Sequence, residues 1–330
     1  MAEAALPATD THPPRSLFAG NALPIAIFLV FALVPLFATL KAESYVLSLV
    51  TRVMIFAIAA LALDLLIGYG ALVSFGHAAF MGLGAYAVGI LSSHGIQDAL
   101  ISLPVALGVS ALFAFLTGIV CLRTRGVYFI MITLAFGQMA YFTASSLAPY
   151  GGDDGLTVHA RSTFAGLPIF ANDRALYYVC LLALLGAYLL CRALVVSRFG
   201  RVYRGARENA QRLGTIGFDI YRFQLVAYII AGMLGGLSGF LLANATDFVS
   251  PAYMSWQRSG ELLIMVIFGG IGTLTGAIIG AAAFLLAEEW LSGITEHWKV
   301  IFGPLLVFVA VFARGGLIGV AERLRRMVRG

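Results

Sequence analysis

Charge is what this chain has least of. Asp, Glu, Lys and Arg make up 11% of its 330 residues, while 61% are hydrophobic. A soluble domain of that length needs many more charges to cover its surface. Water is therefore excluded as the solvent for most of the exterior, and lipid takes its place. Lysine is almost missing: Lys41 and Lys299 are the only two, and neither follows a glycine. The G-x-x-x-x-G-K-[ST] phosphate loop is accordingly absent, as are H-E-x-x-H and G-x-S-x-G. If ATP drives this protein, another subunit must bind it. Cysteine is scarce as well. Cys121, Cys180 and Cys191 lie inside apolar runs without metal-ligand spacing and read as small packing residues. The five histidines (His12, His77, His94, His159 and His297) are scattered, with no two on one helix face, so no metal site is expected. The net charge of +5 does not point to nucleic acid. The arginines gather at the ends of apolar segments, with no aromatic-interleaved basic surface.

What the chain does have is long apolar runs. A helix needs about twenty apolar residues to cross the hydrocarbon core. That ruler gives ten candidate spans: 22–40, 45–67, 77–95, 101–122, 127–147, 175–197, 223–245, 258–272, 273–293 and 298–315. The expected fold is all-α, a polytopic membrane protein with about ten transmembrane helices. Gly269, Gly270, Gly272, Gly276 and Gly280 interrupt the eighth and ninth candidates. Two readings stay open there, two full spans or a broken, re-entrant pair. Residues 1–21, with Pro7, Pro13 and Pro14, read as a disordered tail, 22–320 as the membrane domain and 321–330 as a basic tail. The first apolar run lacks an A-x-A site, which favours a retained span over a cleaved signal peptide. Ten spans put both termini on one side. That side carries fifteen of the 21 Lys and Arg residues and the other carries five, with Arg52 inside the second candidate span. The bias places both termini, and the 198–222 segment, in the cytoplasm.

Segment 198–222 is the most polar stretch of the interior. Read as a helix over 200–213, it lines up Val202, Ala206, Ala210 and Leu213 in one apolar stripe. Arg204 with Glu208, and Glu208 with Arg212, form i,i+4 pairs. Gly214 is placed to stop the helix, and Gly217 frees the chain before the next span. Such a stripe has two resting places, the bilayer surface or a groove on a cytoplasmic partner. On the opposite side the only long loop is 148–174, where Asp153 and Asp154 stand beside Gly151, Gly152 and Gly155. They read as an exposed turn rather than paired catalytic carboxylates. Small residues recur about every fourth position in 68–86 and in 269–284, which lets helices approach closely or break around a solute. Ser74, His77, Thr133 and Gln138 are polar groups in or beside these stretches. Two roles are open to them, lining a solute path or bonding locally between helices.

Four ordered stretches carry a resemblance. "ALDLLIGYGALVSFGHAAFMGLGAYAVGIL" (62–91), "RTRGVYFIMITLAFGQM" (123–139) with "GGDDGL" (151–156), the segment from Gly200 with its "RENA" core (207–210), and "IFGGIGTLTGAIIGAAAF" (267–284) are similar to LivM-type permeases. These are membrane subunits of branched-chain amino acid ABC importers, and the likeness spans about 45–320. The resemblance implies a coupling role for Val202, Arg204, Ala206, Arg207, Glu208, Asn209, Ala210, Leu213 and Gly214 against ATPase subunits. It further implies pairing with a LivH-like permease, two cytoplasmic ATPases that carry ATP and Mg, and a periplasmic binding protein that Asp153 and Asp154 would meet. No cofactor is expected in this chain itself, and the location is the bacterial inner membrane. The family commonly has Asn where Asp64 stands, an acidic residue near Gln138 and Thr in place of Tyr150. Those departures bear on the solute, since related permeases also move urea or short amides. A self-sufficient ion-coupled carrier is a different class of reading. No chain of carboxylates crossing the bilayer stands out in the sequence to support it.

Overall fold

The structure is a computed structural model that describes residues 22–38, 43–158, 161–166, 169–294, 297, 300, 303–304 and 315–319. The two tails and nearly all of the tenth candidate span lie outside the described residues. The helices are α1 (Ala22–Ala38), α2 (Glu43–Gly70), α3 (His77–Ser93), α4 (Ala99–Cys121), α5 (Val127–Ser146), α6 (Asp173–Val196), α7 (Arg198–Thr215), α8 (Ile220–Thr246), α9 (Trp256–Gly269) and α10 (Leu274–Ser292). Local sequence starts several of them. Asp98 accepts from the Leu100 amide at 3.0 Å, Asn172 from Arg174 at 3.0 Å, and Ser197 from Gly200 at 3.2 Å. Each satisfies an amide that the first helical turn would leave without a partner.

Six helices are long and apolar enough to cross a membrane: α2, α4, α5, α6, α8 and α10. The expectation of about ten full spans is not met among the described residues. The 17 residues of α3 reach about 25 Å and the 14 of α9 about 21 Å, against a hydrocarbon core of about 30 Å, while α1 borders undescribed residues at both ends. The shortfall in α3 and α9 has a physical cause, because both begin inside the bundle. Phe80 of α3 packs on Gly232 and Gly235 at the middle of α8, and Met81 and Ala85 pack on Gly239, so the two helices run parallel. The non-helical stretch Ala71–Gly76 carries the chain from the end of α2 to that depth. In the same way, the Arg258 guanidinium at the start of α9 stands 5.9 Å from the ring of Phe56, the midpoint of α2. The Ser259 hydroxyl accepts from the Ala78 amide at 3.1 Å, so the beginnings of α3 and α9 meet. Of the two readings for 258–293, the broken pair is the one observed. α9 runs partway through the bundle and α10 folds back on it.

Nearly every residue of α2 between Val53 and Leu66 is buried, and α6, α8, α9 and α10 surround this helix. α4, α5 and α6 each bury one stripe and leave the rest exposed, as lipid-facing helices do. Close approach rests on missing side chains, as the spacing of small residues predicts. A Cβ on Gly84 would strike the Gly236 carbonyl, and one on Gly269 would strike the Gly276 carbonyl. At one end of the bundle Leu156–Thr157 (β1) pairs antiparallel with Phe248–Val249 (β2). At the other end sit α7 and the turn between α9 and α10.

Candidate functional site

The unwound stretch Ala71–Gly76 is backbone at membrane depth, and its amides need partners. Side chains singled out from the sequence supply them. Thr133 Oγ1 accepts from the Phe75 amide at 3.2 Å and donates to the Ile130 carbonyl at 2.9 Å. Ser74 Oγ accepts from the Gly76 amide at 3.4 Å. His77 opens α3, fully buried, edge-on to Phe80, with neither ring nitrogen bonded among the described residues. Ser74, His77 and Thr133 therefore converge on one junction. Gln138 stays apart from it, half-buried, although its neighbour Gly137 packs against Gly76. The cavity of about 630 Å³ between α3, α4 and α5 is a different place. Thr117, Thr143 and Tyr86 are the polar side chains in a lining that is otherwise apolar, so nothing there would hold a charged group.

One constellation escaped the sequence reading. Arg52 of α2, Arg258 and Glu261 of α9, and Glu288 of α10 gather around Phe56. Arg258 Nη1 donates to Glu261 Oε2 at 2.6 Å, while Arg52 Nη2 stands 3.9 Å from Glu288 Oε1. Both guanidinium groups face the Phe56 ring, at 5.8 and 5.9 Å from its centroid. Glu288 Oε2 is buried and has no hydrogen-bond partner among the described residues. Beside the cluster, the Tyr45 hydroxyl donates to Glu289. Arg52 inside an apolar run was the visible signal. Its partners lie more than 200 positions away, so spacing could not reveal the group.

The segment at the other end departs from the single helix expected over 200–213. α7 is interrupted at Asn209, whose backbone is extended (φ −154°, ψ 94°) and whose Oδ1 accepts from the Arg212 amide at 3.0 Å. The break divides the expected stripe between two halves: Ala206 is buried, Val202, Ala210 and Leu213 are half-buried, and Leu213 packs back over Gly205 rather than continuing one straight helix face. Phe199, Tyr203 and Ala206 face the bundle instead, with Phe199 stacked on Tyr203 and on Phe223. The expected Arg204–Glu208 and Glu208–Arg212 ion pairs are not formed. Arg204 turns back to the carbonyls of Gly200 and Val195, at 3.3 and 3.2 Å. Gly214 lies within the helix, and the stop comes three residues later. Gly217 has φ +94°, its amide bonds to Gly214, and the Phe218 amide bonds to Leu213, a Schellman turn. Ile216 and Phe218 are left 66% and 41% exposed. Two further side chains tie α7 to the end of α2. Arg207 donates to the Gly68 carbonyl, and the buried Tyr203 ring fills the space over Gly70. Burial pushes the Tyr203 hydroxyl above its usual range. One turn away, Asp64 Oδ1 accepts from the Gly272 amide at 2.7 Å. α7, the end of α2 and the α9–α10 turn thus form one hydrogen-bonded block.

Asp153 and Asp154 stand exposed in the turn Gly151–Gly155, as the glycines around them predict. Their loop is fastened by Arg161, which donates to Asp247 at 3.3 Å and to Asp173 at 2.6 Å. Burial alone would lower its pKa, but the hydrogen bond to Asp173 and the charge of Asp247 hold the guanidinium above its ordinary value.

The family model described as branched-chain amino acid transport system / permease component matches residues 45–310. The chain belongs to this permease family. Its likeness to LivM-type permeases, legible in the four signatures, extends over most of its length. The high-affinity branched-chain amino acid transport system permease protein LivM of Salmonella typhimurium is 28% identical over 81% of this chain and 68% of its own. LivM of Escherichia coli K12 is 26% identical over 85% of this chain and 71% of its own. A probable LivH of Methanocaldococcus jannaschii is 28% identical over 77% of this chain and 86% of its own. No solved structure matches. For a permease of this family, a multi-pass membrane protein, the two features of interest are the charged cluster at mid-depth and the anchored helix α7.

Proposed function

We propose that this chain is a permease subunit of an ATP-driven importer for branched-chain or related amino acids in the bacterial inner membrane. It pairs with a LivH-like permease. Two cytoplasmic ATPases bind ATP and Mg, and a periplasmic binding protein delivers the solute on the side of Asp153 and Asp154. Both termini and α7 face the cytoplasm, in keeping with the distribution of arginines. One observation carries the coupling part. The turn that ends α7 exposes Ile216 and Phe218 outward while Tyr203 and Arg207 lock the helix to the end of α2, beside the α9–α10 turn. A partner that grips those two apolar side chains moves the whole block. Ser74, His77 and Thr133 border the break before α3, Gln138 lies apart from it on α5, and the four shape the wall of the solute path.

The test is Ile216→Asp with Phe218→Asp in the co-expressed importer. Two desolvated anchors replaced by charges should cut co-purifying ATPase roughly tenfold or more and remove ATP-dependent uptake. ATPases retained at the normal ratio with uptake unchanged would sink the coupling role.

A further inference from the structure

We infer that the cluster of Arg52, Arg258, Glu261 and Glu288 is the binding site for the charged head of a zwitterionic solute, with the solute carboxylate on the arginines and its ammonium on the glutamates. This rests on the importer reading and names where in the chain the solute is held.

Three arguments lead there. The first is depth. Phe56 has thirteen residues of α2 before it and fourteen after, and both guanidinium groups stand over its ring. Charged side chains at that level are costly unless they face a partner or a watery path. These four remain partly open, with side chains 37% (Arg52), 29% (Arg258), 28% (Glu261) and 19% (Glu288) exposed. A face with two arginines and two glutamates cannot rest on lipid, so it borders the space through which solute passes. The second is incomplete pairing. A purely structural network closes its hydrogen bonds, because half-satisfied ones are expensive. Here the Arg52–Glu288 contact is 3.9 Å, too long for a hydrogen bond, and Glu288 Oε2 is buried without a partner among the described residues. A guanidinium fork and a carboxylate oxygen are both left to serve a ligand, and they match the carboxylate and the ammonium of an amino acid. The third is charge of both signs. The arginines and glutamates present both signs side by side, with Glu289, held by the Tyr45 hydroxyl, adding a negative charge at the edge, which suits a solute that carries both charges. A purely cationic or anionic solute would leave one pair uncompensated. The setting agrees, since transport sites lie near the midplane where helices are broken, and α3 and α9 both begin at this depth.

The test uses the assembled importer in nanodiscs, without the binding protein, and measures binding of radiolabelled leucine. Isoamylamine, which lacks the carboxylate, and 4-methylpentanoate, which lacks the ammonium, serve as competitors. In the wild type, leucine should compete roughly tenfold or more better than either. Arg258→Gln and Arg52→Gln should weaken leucine by a similar factor and close its gap to the amine. Glu288→Gln and Glu261→Gln should close the gap to the acid. A role confined to holding helices together would not sort the competitors by charge. Arg258→Lys and Glu288→Asp keep the charge with altered reach, and should show intermediate losses even if the neutral variants fail to assemble. Variants that bind leucine as tightly as wild type, or gaps that stay unchanged, overturn the site. So does loss of the second permease with leucine binding intact, which makes the cluster a subunit contact. ATP-driven leucine uptake in wild type and variants alike removes the site and leaves the importer standing. Uptake of urea but not leucine by the wild type removes both the site and the amino acid reading.

Discussion

Asp64 shows how much a single side chain decides. It is fully buried in α2, and its Oδ1 holds the Gly272 amide while Oδ2 has no bonded partner among the described residues. An asparagine would keep the accepting oxygen and remove a buried charge. Asp64→Asn should therefore leave thermal stability equal or higher. Asp64→Leu should lower it by about 1–3 kcal/mol, because the Gly272 amide then loses its acceptor. Melting of the detergent-solubilised protein followed by tryptophan fluorescence separates the two. A lower melting temperature for Asn than for Leu would contradict the role assigned to Oδ1. Asp64 was visible in the sequence only as a departure from the permease pattern it resembles. Its partner could not be read there, because Gly272 lies 208 positions further along.

At the scale of elements, apolar length located the helices well and their depth poorly. The boundaries of α4, α5 and α6 fall within two residues of the expected ones, since each is a continuous lipid-facing run. α3 and α9 were legible as apolar segments but not as helices that start mid-bundle. What shortens them is the arrangement of other elements around Ala71–Gly76 and Ser255. The break at Asn209 was hidden for a similar reason. Asparagine is a weak helix former and a good N-cap, but one such residue does not by itself break a helix, and packing of Tyr203 and Arg207 fixes one half of α7 against the membrane helices. The glycine-rich faces, by contrast, were read correctly, and they permit a paired test. Gly239→Ala places a Cβ against the Met81 carbonyl and should separate α3 from α8, at a cost of about 1–3 kcal/mol. Gly186→Ala on α6 meets nothing within 4 Å and should cost nothing. Equal melting temperatures for the two would show that the α3–α8 contact yields more readily than its geometry implies.

For the whole molecule, the open question of sidedness has a direct answer in thiol chemistry. Cys121, Cys180 and Cys191 are all fully buried, so they provide a quiet background. In intact spheroplasts a membrane-impermeant maleimide should label Asp153→Cys and spare Ile216→Cys. After permeabilisation both should react. The reverse pattern would invert the topology drawn from the arginines and place α7 outside the cell. The ordered signatures made the family legible from the chain alone. The grouping of Arg52, Arg258, Glu261 and Glu288 was not, because it exists only once three helices have packed.

The shortness of α9 has a mechanical meaning. One end of this rod is clamped through Gly272 to Asp64, next to the carbonyl that Arg207 holds, and the other end carries Arg258 and Glu261. A rod of about 21 Å that pivots by about 10° swings its far tip by about 4 Å, more than the length of a hydrogen bond. α9 is thus a lever whose fulcrum lies beside the block that holds α7, and a small push at α7 would shift Arg258 and Glu261 at its tip.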